Sequence, residues 1–232
     1  MLEIRRSADR GFFDHGWLKT FHTFSFADYY DAAWIGYGPL RVINDDRVAP
    51  GNGFGKHGHR DMEILTYILA GELQHQDSMG NGSVIRVGDV QRMSAGTGVT
   101  HSEFNPSARD EVHFLQIWVQ PQALRLAPGY EQKHFAAAEK RGRLRLIAAG
   151  DGAEGAVSIH QDVRVYAGLF DGAERAELQL PAGRRAWVQV ARGSLALGDT
   201  RLASGDGARS EGPARLTLRE GADAEVLVFD LP

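Results

Sequence analysis

The sequence predicts an all-β protein built from two β-sandwiches in tandem. Between residues 42 and 121, short stretches of alternating residues are separated by turn signals, such as the one at 77–82, and show no helical period. Helical propensity gathers only near residues 135–141, where alanines and charged residues precede a glycine. The second half of the chain then repeats the first, which predicts a duplicated β unit.

The repeat is clearest when residues 190–195 (Val-Ala-Arg-Gly-Ser-Leu) are set beside residues 68–73 (Ile-Leu-Ala-Gly-Glu-Leu), an offset of 122 residues. Three residues of the first half that could serve a metal site are His57, His59 and Glu63. At this offset, the corresponding residues of the second half are Gln179, Pro181 and Arg185. We therefore predict an N-terminal metal-binding domain at residues 1–121, a connection at 122–140 and a degenerate, structural C-terminal domain at 141–232.

Four candidate metal ligands lie in the first half: His57, His59, His101 and Glu103. Side chains two residues apart on a strand project from the same face, so each pair can serve one ion without distorting the backbone. Glycine-rich runs at 51–55 and 94–100 favour strands entered from loops. Nine histidines will form some such pairs by chance, but paired spacings at both ends of one strand-rich segment are hard to obtain by accident.

Three imidazoles and one carboxylate suit one divalent transition metal and leave room for one or two outside ligands, which points to catalysis. Sites of histidine plus carboxylate with open positions are typical of non-haem iron oxygenases. Iron(II) is therefore the first expectation, with nickel, cobalt, manganese, copper or zinc as alternatives.

Two segments resemble the cupin motifs. The first motif is matched by Gly51, His57, His59, Glu63 and Gly71, with the final glycine one place late. The second is matched by Gly88, Gly96, His101 and Asn105, although Ser94 stands where proline is usual and the histidine lies two places late.

Three blocks narrow the resemblance to the pirin family and cover most of the first half. They are residues 23–30 (Thr-Phe-Ser-Phe-Ala-Asp-Tyr-Tyr), residues 57–63 (His-Gly-His-Arg-Asp-Met-Glu), and residues 88–91 (Gly-Asp-Val-Gln) through 101–103 (His-Ser-Glu). The resemblance implies a bicupin, that is, two jelly-roll β-sandwiches in tandem with the ion inside the N-terminal one.

The pirin resemblance also implies that His57, His59, His101 and Glu103 bind the metal and that Glu63 does not. Glu63 lies four residues past His59, an even separation that keeps it on the same face of a regular strand. From the residues alone it is a candidate either for a ligand or for a group that orients a ligand imidazole by accepting its other N–H.

Three functions are open from the sequence: an oxygenase, a metal hydrolase or isomerase that uses the ion as a Lewis acid, and a metal-stabilised binding module. The resemblance favours a quercetin 2,3-dioxygenase that cleaves flavonols with O2 to a depside and carbon monoxide. It gives Glu103 the catalytic role of accepting the proton of the substrate 3-hydroxyl. It also allows a transcriptional cofactor without a dedicated enzymatic role.

The composition argues against several other classes of function. The net charge of −4 and the lack of a basic cluster denser than residues 141–145 argue against direct nucleic-acid binding. The absence of cysteine excludes disulfides and thiol chemistry. We find neither a signal-peptide pattern nor a stretch of transmembrane length, so no membrane partner and a cytoplasmic location are expected.

Two further features carry weaker predictions. Ten aromatic residues between Phe12 and Tyr37 are expected to pack around the first sandwich, and part of this belt could line a pocket for a planar aromatic ligand. His160 has no partner at ligand spacing, so we expect an ordinary hydrogen-bonded strand residue there.

Overall fold

A computed structural model describes residues 2–232 and shows a nearly all-β chain. The strands of the first half are β1 (Glu3–Arg5), β2 (Gly11–Asp14), β3 (Leu18–His22), β4 (Leu40–Val48), β5 (Gly53–His59), β6 (Glu63–Ala70), β7 (Glu72–Asp77), β8 (Gly82–Arg86), β9 (Asp89–Ser94), β10 (Val99–Phe104), β11 (Val112–Val119) and β12 (Gly129–His134). Those of the second half are β13 (Arg145–Ala149), β14 (Val157–Ser158), β15 (Arg164–Gly172), β16 (Ala176–Leu180), β17 (Arg185–Leu197), β18 (Thr200–Ala203), β19 (Gly207–Glu211) and β20 (Ala214–Leu231). One short helix, α1 (Ala137–Lys140), lies where helical propensity is highest, and single 3₁₀ turns occupy Ser7–Asp9 and Ala153–Gly155.

The chain forms two compact units. The N-terminal unit contains Gly11–His134 and Val157–Gln161, and the C-terminal unit contains the residues through Arg10, Phe135–Ala156 and Asp162–Pro232. Each unit is a β-sandwich of the jelly-roll type, which confirms the predicted all-β bicupin fold.

The N-terminal unit has a seven-stranded sheet, in the order β12-β9-β6-β11-β4-β3-β2, and a four-stranded sheet, in the order β5-β10-β7-β8. Strand β6 is almost wholly buried, as its apolar composition requires. An apolar cluster that includes Leu18, Ile68, Leu73 and Phe114 is part of the core of this unit. The four-stranded sheet brings both predicted ligand strands, β5 and β10, side by side.

The C-terminal unit repeats this strand order, since β1-β19-β17-β20-β15-β13 matches β12-β9-β6-β11-β4-β3. Long strands β17 and β20 each take the place of two strands, β6 with β7 and β10 with β11. Their pairing contains three register shifts between Val190 and Ala196, and such bulges allow a strand to bend. The predicted duplication is confirmed by this order.

Two segments pair with strands outside the part of the chain to which the sequence assigns them: β1 was assigned to the N-terminal domain and β12 to the connection. Strand β1 pairs with β19 in the C-terminal unit, and β12 pairs with β9 in the N-terminal unit. The predicted domain limits at residues 121 and 141 stay a prediction. Among residues 2–232 no helix is long and apolar enough to span a membrane.

Candidate metal centre

Strand pairing explains how three histidines far apart in the sequence come together. His57 on β5 lies directly opposite His101 on β10, and His59 follows two residues later on the same face of β5. The two strands approach closely at Gly53, where a Cβ atom would run into the carbonyl oxygen of Glu103. Within the glycine-rich run that precedes the first histidine pair, Gly53 is therefore required by the pairing itself.

The three imidazoles converge through their Nε2 atoms. His101 Nε2 lies 2.9 Å from His59 Nε2 and 3.0 Å from His57 Nε2. His57 Nδ1 donates to the Gly55 carbonyl at 2.8 Å, so its Nε2 carries a lone pair rather than a proton. Several acceptor nitrogens turned toward one point are the arrangement that a cation satisfies.

The spacing of these nitrogens fits a transition metal. Nitrogens about 2.1 Å from one ion, at right angles to one another, lie about 3.0 Å apart. Burial is the main cause that lowers the pKa of His59 to about 4 and that of His101 to about 3, with neighbouring imidazoles adding to the effect. Both rings are therefore neutral at ordinary pH, as metal ligation requires.

Glu103 lies beside the three imidazoles. A carboxylate oxygen of Glu103, a His101 nitrogen and a His75 nitrogen lie within 4.8 Å of one another, and Glu103 shares a cavity wall with His57 and His59. Gln116 Nε2 donates to Glu103 Oε2 at 3.2 Å, while Gln116 Oε1 accepts from Thr66 Oγ1 at 2.8 Å. Thr66 thus orients the amide of Gln116, which holds the carboxylate in place.

Burial raises the pKa of Glu103 to about 7. The hydrogen bond from Gln116 opposes this shift, and the nearby Asp46 carboxyl reinforces it. A carboxylate whose pKa lies close to neutral pH is a stronger base than an ordinary glutamate.

A cavity of about 260 Å³ opens onto this cluster. Its apolar walls come from Phe26, Phe54, Phe114 and Trp118. Trp118 packs edge-on against both Phe26 and His59, with ring centroids 5.3 and 5.0 Å apart. The cavity therefore suits a flat, largely apolar molecule that reaches the histidines. Phe26 is the member of the N-terminal aromatic belt that lines it.

A row of polar side chains crosses the seven-stranded sheet at the cavity. Its members are successive cross-strand partners: His22, Asn44, Gln116, Thr66 and Gln91. All are buried, although Gln116 and Thr66 stand in strands that are otherwise largely apolar. Buried polar side chains destabilise the fold unless they form hydrogen bonds. Their concentration in one row therefore indicates the face of the sheet that binds a ligand.

Three polar atoms that line or adjoin the cavity have no hydrogen-bond partner in the described chain. They are Asn44 Oδ1, Asp46 Oδ1 and Trp118 Nε1. Burial raises the pKa of Asp46 to about 7, opposed by the Thr20 hydroxyl and reinforced by Asp45. This end of the cavity can accept hydrogen bonds from a polar ligand and can donate hydrogen bonds to it.

Glu63, which the sequence leaves open as a ligand or as a group that orients a ligand imidazole, has its hydrogen bonds elsewhere. Glu63 Oε2 instead accepts from Ser94 Oγ at 2.9 Å and lies 3.2 Å from both the backbone nitrogen and Nδ1 of His160. Ser94, which replaces the usual proline of the motif, is therefore a partner of this carboxylate. His160 is hydrogen-bonded, as predicted, but it lies in a bend after β14 and not in a strand. It helps to hold the returning segment Val157–Gln161 within the N-terminal unit.

One residue near the cluster was missed in the sequence. His75 on β7 is fully buried, and its ring centroid lies 5.3 Å from that of His101. His75, His101 and Glu103 form a second set of closely spaced donor atoms. The spacing of His75 and Asp77, two residues apart, was the available signal, but their strand carries no glycine-rich entry to draw attention to it.

Every group of three metal-binding side chains found among residues 2–232 lies in the N-terminal unit. The positions equivalent to the first histidine pair hold Gln179 and Pro181, and Gln179 is exposed on β16. The C-terminal unit thus repeats the fold without the cluster.

Comparison with known protein families gives a match to each half of the chain. The pirin family model matches residues 3–119. A model described as the quercetinase C-terminal cupin domain matches residues 146–231. Together they span most of the chain and agree with the duplicated architecture.

Similar curated proteins are named as flavonol-cleaving enzymes. A quercetin 2,3-dioxygenase of Escherichia coli K12 is 42% identical over 100% of this chain and 99% of its own length. A putative quercetin 2,3-dioxygenase of Pseudomonas aeruginosa is 43% identical, with 100% of both chains covered.

Similar solved structures include a metal complex. The bacterial pirin YhhW from Escherichia coli, in complex with nickel(II), is 42% identical and superimposes with a TM-score of 0.95 over 100% of this chain and 99% of that one. A quercetin 2,3-dioxygenase from Acinetobacter baumannii is 26% identical, with a TM-score of 0.70 over 91% of this chain and 80% of the other.

Proposed function

The chain belongs to the pirin family, and from this premise we propose that it is a metal-dependent dioxygenase that cleaves flavonols such as quercetin with O2. The observation that carries the proposal is the convergence of three imidazole Nε2 atoms at 2.9 and 3.0 Å beside a buried carboxylate, at an aromatic cavity. The names of the relatives support the reaction class, and the nickel(II) complex of the Escherichia coli pirin supports the metal.

We assign the metal to His57, His59 and His101, with Glu103 as the fourth ligand. A divalent transition metal held by these side chains would supply Lewis acidity toward the substrate oxygen and redox chemistry toward O2. Iron(II) remains the prediction from the donor set, and nickel(II) is the second metal to test because a similar protein binds it.

The chain itself orients the substrate and moves its proton. Phe26, Phe54 and Trp118 hold the flat ring system by apolar contact. A carboxylate oxygen of Glu103 accepts the proton of the substrate 3-hydroxyl, while the hydrogen bond from Gln116 keeps that carboxylate turned into the cavity. Asn44 Oδ1 accepts a hydrogen bond from a further hydroxyl of the substrate.

Oxygen uptake with a flavonol tests this function. Protein stripped of metal and reloaded separately with iron(II), nickel(II) or zinc(II) is mixed with quercetin, while O2, carbon monoxide and the depside are measured. We expect one O2 consumed and one carbon monoxide released for each flavonol, with a redox-active metal only. His101→Ala is the matched control, because it removes a ligand and leaves the aromatic walls intact.

Each other outcome points to a different function. Turnover with zinc(II) and no O2 uptake would replace the dioxygenase by a Lewis-acid reaction. A metal-loaded protein that binds no flavonol and consumes no O2 would favour the binding module. A cytoplasmic location stays a prediction, as does the absence of nucleic-acid and membrane partners.

A further inference from the structure

His75 lies buried between a carboxylate and one of the proposed ligands. Its Nε2 is 3.2 Å from Asp77 Oδ2, and its Nδ1 is 3.5 Å from His101 Nδ1, at the long end of the hydrogen-bond range. The arrangement follows from strand pairing, since Asp77 on β7 stands opposite His101 on β10. Both His75 and the Asp77 side chain are fully buried, so neither exchanges these partners for bulk water.

Asp77 is held as an acceptor by other groups. Its Oδ1 accepts from the backbone nitrogens of Met79 and Asn81 at 2.9 and 3.0 Å, and its Oδ2 accepts from Asn81 Nδ2 at 2.8 Å. Burial raises the pKa of Asp77, but the hydrogen bonds from Asn81, His75 and Met79 together bring it below its usual value. A carboxylate with these donors is ionised, so it accepts a hydrogen bond from His75 and has no proton to donate.

These contacts determine which ring nitrogen of His75 and of His101 carries the proton. His75 donates from Nε2 to Asp77, which leaves the Nδ1 of its neutral ring as an acceptor. His101 Nδ1 and Gln91 Nε2, at 3.5 and 3.4 Å, are the donors that face this acceptor. A His101 ring that donates from Nδ1 has its lone pair on Nε2, the atom that converges with His57 and His59.

We propose that Asp77 and His75 form a hydrogen-bonded relay behind His101. The relay fixes the metal-binding tautomer of His101 and makes its Nε2 a stronger ligand of the metal. His75 is thus a positioning residue, which acts through His101. The ring of Tyr130 packs against His75 with centroids 5.1 Å apart and keeps the imidazole in place. The inference rests on the metal site of the proposed function and is independent of the reaction carried out there.

Metal binding without turnover tests the relay. Full-length protein is stripped of metal, and the dissociation constant for nickel(II) is measured by competition with a chelator. The d–d absorption bands of the cobalt(II)-loaded protein are recorded as well, since they report the donor strength and geometry of the ligands. The variants are His75→Phe, which removes the acceptor, His75→Gln, which restores an acceptor oxygen, and Asp77→Asn.

His113→Phe is the matched control. His113 is also buried and also paired with a carboxylate, Asp45, at 2.7 Å, but it is not among the residues that line the cavity. It therefore reports the cost of losing a buried histidine–carboxylate pair without touching the cluster.

We expect His75→Phe to raise the nickel(II) dissociation constant by about 10- to 100-fold, the usual effect of removing a partner of a ligand histidine, and to shift the cobalt(II) bands. His75→Gln should recover part of the affinity, Asp77→Asn should act in the same direction as His75→Phe, and His113→Phe should leave both readouts unchanged. Folded His75→Phe protein with wild-type affinity and wild-type bands would overturn the relay.

Two further results separate the relay from the site itself. If His101→Ala binds nickel(II) as tightly as the wild type, the proposed metal site is wrong and the relay falls with it. If His101→Ala loses the metal while the His75 variants do not, the relay alone is wrong. Should His75→Phe fail to fold, unchanged cobalt(II) bands in both His75→Gln and Asp77→Asn overturn the relay.

Discussion

The Nε2 atoms of His57 and His101 lie 3.0 Å apart, although the proton of the His57 ring is held on Nδ1 by the Gly55 carbonyl. Neighbouring imidazoles with lone pairs turned toward each other repel unless a proton or a metal cation lies between them. The backbone contact at Gly55 therefore prepares His57 for metal binding before any metal arrives.

The first prediction follows from this geometry. Replacing His57, His59 or His101 with alanine should each lower the metal content of the purified protein by about tenfold or more, because loss of a mere partner of a ligand already costs that much. Elemental analysis after dialysis measures it. His160→Ala is the control, since His160 bonds to Glu63 outside the cluster and its loss should leave the metal content unchanged. Full occupancy in the His101 variant would remove the basis for the site.

Metal stoichiometry is the second prediction. We expect about one tightly bound ion per chain, because the C-terminal unit repeats the strand order but holds Gln179 where the N-terminal unit holds His57. Titration of metal-free protein with nickel(II), followed by calorimetry, gives the number directly. Two tight sites per chain would contradict the assignment of a purely structural role to the second unit.

The third prediction concerns the pH dependence of stability of the metal-free protein. Burial raises the pKa of Asp46 from 3.8 to about 7, so the folded state holds this proton more tightly than the unfolded state. The resulting contribution to stability is fully present below about pH 4 and is lost as the pH rises through about 7. The free energy of unfolding of the wild type should therefore fall by an amount on the order of a few kcal/mol over that range, and Asp46→Asn should not show this fall.

Urea unfolding of both proteins at several pH values between about 4 and 8, in the presence of a chelator, measures this difference. Removing the Asp46 carboxyl also lowers the pKa of Glu103, so the difference between the two curves is assigned to Asp46 together with its effect on Glu103. Parallel curves for wild type and variant would show that Asp46 titrates normally.

The parts of the site that the sequence predicts are those set by local spacing. His57 and His59 share a face because a strand repeats every two residues, and the same rule places Glu103 on the face of His101. Alternating residues between 42 and 121 predicted short strands in that region, among them β6, and the repeat at an offset of 122 residues predicted the duplicated β unit. Each of these depends on neighbours along the chain or on an internal comparison.

The missed parts depend on pairing between distant strands. Gln116 holds Glu103 only because β11 and β10 face each other across the sandwich, and His75 reaches His101 only through the register of β7 with β10. The role of Glu63 stayed open in the sequence because its partner His160 lies 97 residues away, on a segment that returns from the second half of the chain. No period or spacing in the sequence encodes such contacts.

The last prediction separates Glu103 as a base from Glu103 as a ligand alone. Glutamine keeps an oxygen that can bind the metal and accept the hydrogen bond of Gln116, but it has neither charge nor basicity. If the carboxylate takes the substrate proton, Glu103→Gln should lower turnover by about 10²- to 10⁴-fold in samples matched for metal content. Asp46→Asn removes a carboxyl group from the same cavity and should cost far less, because it spares the base.

Raising the pH should recover part of the turnover of Glu103→Gln, because a flavonol that is already ionised in solution no longer needs a base. A defect in metal affinity alone would not respond to pH in that way once the metal contents are matched. Steady-state kinetics between about pH 6 and 9 with metal-loaded protein distinguishes the two. Near wild-type turnover of the variant at neutral pH would exclude Glu103 as the base. Since Glu63 is turned toward Ser94 and His160, the proton would then have to pass to solvent.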